Sequence, residues 1–257
     1  MQTDFNAVLF DVDGVLEFQG KAYPGAIELL DFLRDRAIII RILTNSTLKS
    51  RQRCAAQLNQ LGFQIDENEV ITASYATAQY LKTLNPRSCW VMLKGEGLAE
   101  FAEFVHDDQN PEYIVVGDYR DGFDFQNMNK ALKHLLAGSK LIIMIPNMVD
   151  HSLGEVELTV GAYGKMLEGA AKVSATYVGK PNPYVFDMAL QTMNVPRHRV
   201  LMVGDSLATD IVGAKAAGIK SVLVKTGEFR ASDLDGRVQP DYIVDTIQEI
   251  RALFKPR

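Results

Sequence analysis

The apolar run Ala7-Val8-Leu9-Phe10 passes without a break into Asp11-Val12-Asp13-Gly14. Four apolar residues closed by a turn signal read as a buried strand. Two carboxylates and a glycine at its end then stand where an open α/β sheet builds its site. A carboxylate held there can attack an electrophile, and a second one two residues on can turn toward the same spot as acid or base. That combination points to phosphoryl chemistry. A strand running into a chemically inert Asp-rich turn is the plain alternative, so the rest of the chain has to decide. A calcium loop is excluded, because Gly14 falls at the fourth loop position rather than the sixth and Val15 occupies a ligand position.

Further apolar runs alternate with segments of helical period: strand 7–10, helix 25–36, strand 38–43, helix 49–61 and a turn at Gly62. The pattern returns with helix 183–193, strand 200–203, helix 207–217 stopped by Gly218, strand 221–224, a last strand at 242–244 and a C-terminal helix. Both stretches read as βαβ units of one parallel sheet. Between them, 90–93, 113–116 and 141–145 read as strands separated by helices near 96–104 and 125–137. The expected fold is α/β: a doubly wound, Rossmann-like parallel-sheet core made of residues 1–72 and 177–257, with an inserted smaller α/β cap domain at 73–176.

A chain of 257 residues with 47% hydrophobic content can bury such a core. Its net charge of −5 argues against a nucleic-acid or anionic-membrane partner, although Arg36, Lys49, Arg51 and Arg53 could meet a phosphate locally. The start carries acidic residues and no basic-then-apolar signal, and the apolar stretch 141–145 is too short to span a bilayer. A cytoplasmic location is expected. Cys54 and Cys89 are too far apart for a C-x-x-C pair and too few for a zinc cage, and read as buried free thiols. Met128, Met144, Met148 and Met166 read as packing the cap core or a subunit interface.

Three later segments bring chemistry to the same sheet edge. Strand 38–43 ends in Thr44-Asn45-Ser46, whose hydroxyls and amide can hold phosphate oxygens, although such a triplet also caps helices. Lys180 lies in Gly179-Lys180-Pro181, ahead of a helix capped by Asn182 with Pro183 in its first turn, and one fixed cation there could neutralise phosphate and nucleophile together. Strand 200–203 ends in Gly204-Asp205-Ser206, with Asp210 at the start of the next helix as a supporting group. Asp11 and Asp205 supply hard oxygen ligands of the kind that hold Mg²⁺ together with a substrate phosphate.

With Asp11-Val12-Asp13-Gly14-Val15, Thr44-Asn45, Lys180 and Gly204-Asp205 with Asp210 in that order, the chain resembles the haloacid dehalogenase-like phosphatases along its whole length. The insert is similar to that superfamily's large α/β cap class. Within that class, Leu48-Lys49-Ser50-Arg51, Phe125-Gln126-Asn127-Met128-Asn129, Val160-Gly161-Ala162-Tyr163 and Thr226-Gly227-Glu228-Phe229-Arg230 are similar to phosphatases of phosphohistidine, phospholysine and pyrophosphate. Members of that group can carry Ser where this chain has Asp13.

The resemblance implies an aspartyl-phosphate on Asp11 and Asp13 as general acid and base. It also implies Mg²⁺ held by Asp11, the Asp13 backbone carbonyl and Asp205, and phosphate bound by Thr44, Asn45, Ser46 and Lys180. A small phosphorylated substrate and a homodimer are implied as well. Sugar-phosphate, nucleotide, phosphoglycolate or pyridoxal-phosphate hydrolysis remain alternatives, as does a non-catalytic interaction protein on the same fold. Leaving-group recognition is expected from Asp118-Tyr119-Arg120-Asp121 and from the loop 146–151, where Asn147 and His151 are the candidates.

Overall fold

The computed structural model describes residues 4–150, 156–236 and 238–254. The chain divides into two compact units, one of Met1–Thr44, Cys54–Ile71 and Lys180–Arg257, the other of Asn45–Arg53 and Thr72–Gly179. The α/β class and the Rossmann-like parallel core expected from the sequence are what the structure shows.

The first unit is built on a six-stranded sheet. Its order is Tyr242–Val244, Lys220–Val224, Val200–Gly204, Ala7–Phe10, Ile39–Thr44 and Val70–Thr72. Ala7–Phe10 runs parallel to both neighbours, with Phe10 level with Val203 on one side and Ile42 on the other. All four of its residues are buried, as in a sheet covered on both faces. One face packs Val8, Phe10, Ile42, Leu201 and Val203 against Leu29, Leu30 and Leu33 of helix Ala26–Arg34 and against Ile247 and Ile250. Helix Pro183–Met193, packed on helix Val212–Ala216, contacts the strand Ile39–Thr44 as well.

The chain therefore leaves its first strand toward one neighbour and returns 190 residues later as the other, which makes the Ala7–Phe10/Val200–Gly204 junction a topological switch point. Crevices outside the carboxyl ends of strands at such a point are where open α/β sheets bind ligands.

Local chemistry explains the element ends. Asn182 accepts a hydrogen bond from the Tyr184 backbone at 2.9 Å, and Pro183 opens the helix, as the sequence indicates. Helix 207–217 is interrupted in a way the pattern does not show. Leu207–Ile211 forms a wide π-type turn in which Ile211 N–H reaches back to Ser206 C=O, and an α-helical stretch Val212–Ala216 follows. The expected C-terminal helix and the helix near 96–104 are instead 3-10 segments, Ile247–Leu253 and Glu96–Phe101.

The second unit has a parallel four-stranded sheet ordered Thr176–Tyr177, Lys140–Ile143, Tyr113–Val116 and Cys89–Met92. Its helices include Phe125–Leu136 and Val160–Ala171, which pack on each other. Met128 and Met144 are core residues there, whereas Met148 and Met166 are about half exposed, so the expected core role of these two does not hold within this chain. Cys54 and Cys89 are buried free thiols. No helix among the described residues is long and apolar enough to cross a membrane.

Leu33 is fully buried beneath the sheet and remote in sequence from the strand-end carboxylates. Leu33→Ala should lower unfolding free energy by roughly 2–5 kcal/mol, read as a lower urea midpoint at constant m-value.

Candidate active site

Parallel register sets the site. Phe10 and Val203 are level, so the residues that follow them, Asp11 and Gly204-Asp205, emerge side by side. The Asp11 amide donates to Val203 C=O at 3.0 Å and ties the two strand ends together. Thr44 closes the neighbouring strand and is 3% exposed.

Lys180 enters this rim from the start of the segment leading into helix Pro183–Met193. Its Nζ lies 2.8 Å from Asp11 Oδ1 and 2.7 Å from Asp210 Oδ1, and the residue is 1% exposed. The π-type turn brings Asp210, itself fully buried, to that lysine, and the Ser206 amide donates to its other oxygen at 3.2 Å. The Glu228 amide donates to Asp205 Oδ2 at 2.6 Å.

Three carboxylates thus converge: Asp11, Asp205 and Asp210 each offer an oxygen within 4.8 Å of the others. Asp13 is exposed, sits in a bridge with Glu17, and adds its charge to the field at Asp11.

The electrostatics follow from burying like charges. Burial, with Asp11 and Asp210 adding to it, pushes Asp205 up to about 9. Burial and the Asp11 charge push Asp210 up to about 7 against the pull of Lys180. Asp11 is raised for the same reason, less the attraction of Lys180. Burial works against the lysine's charge, but Asp11 and Asp210 more than offset it and hold Lys180 above its usual range. With all three carboxylates ionised, the state a bound cation would favour, one ammonium against them leaves two negative charges. Asp11 Oδ2 and Asp205 Oδ1 carry no hydrogen bond among the described residues, since Lys180, Val12 and Glu228 take the other oxygens. Two hard oxygens and a local charge of minus two fit a divalent cation of the Mg²⁺ type.

Two family models match the chain, haloacid dehalogenase-like hydrolase over residues 8–106 and a HAD-hydrolase-like model over 177–250. Human phospholysine phosphohistidine inorganic pyrophosphate phosphatase is 35% identical over 249 residues, covering 94% of this chain and 91% of that protein. The chain belongs to the haloacid dehalogenase-like hydrolases, and it is a phosphatase. Among solved structures, 4-nitrophenylphosphatase from Thermotoga maritima superposes with a TM-score of 0.91 at 26% identity, covering 97% of this chain and 98% of that one. NagD from E. coli K-12 gives 0.88 at 28%, with 96% and 98% covered.

The structure of this HAD-like phosphatase brings Asp11, Lys180, Asp205 and Asp210 together in the first unit. Asn45 lies in the second unit, where its side-chain amide donates to Asn147 Oδ1 at 3.2 Å. Ser46 is in that unit also, half-buried, its C=O accepting from Ala73 N–H. His151 lies outside the described residues. The hydrogen bond from Glu228 to Asp205 is not visible in any spacing. Its one sequence trace is that Thr226-Gly227-Glu228 directly follows the strand Lys220–Val224 and Lys225.

Raised carboxylate values mean that the folded state binds protons more tightly than the unfolded one. Stability from Asp205 and Asp210 is therefore complete at acid pH and is lost as pH rises through about 7 and about 9. In EDTA the melting temperature should fall between pH 5 and pH 9, and millimolar Mg²⁺ should remove most of that fall. Differential scanning fluorimetry across this range is the check, and an EDTA curve that rises with pH would contradict the electrostatic account.

Proposed function

We propose that this phosphatase hydrolyses a small phosphorylated compound in two steps through an aspartyl-phosphate on Asp11. The observation that carries the proposal is the Asp11 carboxylate, buried at the switch point and fixed by Lys180 at 2.8 Å with its second oxygen left for attack or metal binding.

In the first step an Asp11 oxygen forms a bond to phosphorus while the bond from phosphorus to the leaving group breaks. The Asp13 carboxyl gives its proton to the departing atom; its exposed position lets it turn between solvent and substrate. In the second step the Asp13 carboxylate takes a proton from water, the water oxygen bonds to phosphorus, and Asp11 leaves as a carboxylate with inorganic phosphate released. Lys180 offsets negative charge on both nucleophile and phosphate, and Thr44, Asn45 and Ser46 are assigned to the phosphate oxygens. Asp11 and Asp205 would hold Mg²⁺, with the Asp13 backbone carbonyl as family resemblance implies, and Asp210 acts through Lys180. When bound, the ion supplies charge that lets an anionic carboxylate approach an anionic phosphoryl group.

For the substrate, the relatives named for phospholysine, phosphohistidine and pyrophosphate support phosphorus–nitrogen or phosphoanhydride bonds. Asp13 favours a second reading, a carbon-linked monoester. An alkoxide leaves poorly without a proton, so a carboxylic acid beside the nucleophile is most useful there. Asn147, which pairs with Asn45, is assigned to leaving-group recognition.

The test is phosphate release with and without Mg²⁺ from phosphohistidine, phospholysine, pyrophosphate, sugar phosphates, nucleoside monophosphates, phosphoglycolate and pyridoxal phosphate. Asp11→Asn should abolish turnover of all of them. Asp13→Asn should cost about 10²–10⁴ in kcat, and the loss should be larger for alkyl phosphates than for p-nitrophenyl phosphate, whose leaving group needs little protonation. Full activity in Asp11→Asn would sink the mechanism.

A further inference from the structure

Asp205 is held by more than its own strand. Gly14 and Gly227 both have positive φ, 81° and 53°, and a Cβ built on either would overlap Asp205 Oδ2. The carboxylate is therefore sandwiched between two backbones that only glycine lets approach so closely. Across this sandwich the Thr226 hydroxyl donates to Gly14 C=O at 2.5 Å, and one residue past Gly227 the Glu228 amide donates to Asp205 Oδ2. Thr226 thus joins the Asp11-Val12-Asp13-Gly14 turn to the loop that fixes Asp205. The Tyr23 phenol lies against the same loop, interacting with the Gly227 backbone and the Thr226 hydroxyl. Tyr23, Thr226 and Gln248 also border a cavity of about 120 Å³.

We infer that Thr226 is a positioning residue for the cation site: its bond to Gly14 sets the loop whose Glu228 amide occupies Asp205 Oδ2 and leaves Oδ1 for the metal. The inference rests on the reading of Asp11 and Asp205 as metal ligands. A hydrogen-bonded carboxylate presents one defined oxygen, whereas an untethered one rotates between orientations and loses affinity through the ordering it then requires. Thr226 does not touch the phosphate or the nucleophile in this account, and its effect should appear in metal affinity before chemistry.

The measurement is Mg²⁺ binding by titration calorimetry and Mn²⁺ binding by electron paramagnetic resonance, both without substrate, on wild type, Thr226→Ser, Thr226→Val and Asp205→Asn. Thr226→Val keeps the side-chain shape and removes the hydroxyl, and should weaken both ions by about 10–100-fold. Thr226→Ser keeps the hydroxyl and should stay within about threefold of wild type, well short of the 10–100-fold typical of lost outer-shell partners. In steady-state assays of Thr226→Val the metal activation constant should rise more than kcat falls. Gly227→Ala, whose Cβ would displace Asp205, should repeat the Thr226→Val result, and it serves if that variant folds poorly. Wild-type metal affinity in Thr226→Val, or equal weakening in Thr226→Ser, overturns the inference. Wild-type affinity in Asp205→Asn overturns the metal-ligand reading itself, which separates the two failures.

Discussion

The buried contact of Lys180 with Asp11 and Asp210 is the interaction on which the site depends. Three carboxylates within 4.8 Å of one another in a nearly dry rim repel strongly, and without a fixed cation they would expand the site or stay protonated. Lys180 answers the two that lie on either side of it, and its own burial makes that answer rigid. The arrangement is not a source of net stability, since desolvating charged groups costs about as much as their attraction returns. What it provides is an Asp11 carboxylate with one oxygen restrained and one presented.

That geometry is a product of sheet topology. Asp11 and Asp205 are 194 residues apart in sequence, yet a parallel register that matches Phe10 with Val203 sets them at one edge. The π-type turn at Leu207–Ile211 carries Asp210, whose carboxylate is buried against Lys180. The family shown by the comparisons agrees with a site read from strand ends, and perturbed carboxylates gathered in one rim are what functional sites tend to build.

The sequence carried the core of this picture because strand-end carboxylates after apolar runs are a local signal. Asn182-Pro183 marks its helix start by capping chemistry alone. Other elements were hidden for physical reasons. Helix Ala73–Thr83 is rich in Ala, Ser, Thr and Tyr, and its apolar period is weak. Helix Val160–Ala171 contains three glycines that argue against a helix. The first lies against the backbone at Pro146–Asn147, where it donates to Asn147 C=O, so packing outweighs propensity. The Asn45–Asn147 pair and the Thr226–Gly14 bond join residues more than a hundred positions apart, and no period or spacing encodes them.

The placement of Ala7–Phe10 in mid-sheet has a consequence for how the chain is made. This strand is synthesised before both of its neighbours, pairs with Ile39–Thr44 soon afterwards, and keeps its other edge without its native partner until Val200–Gly204 leaves the ribosome. While the intervening residues are made, a buried-type apolar strand offers open hydrogen-bonding groups to any passing chain, the situation in which multi-domain proteins recruit chaperones or aggregate. A ribosome stalled between the two strands would release a product that has Asp11 but lacks Asp205, Asp210 and the strand that should cover the edge beside it.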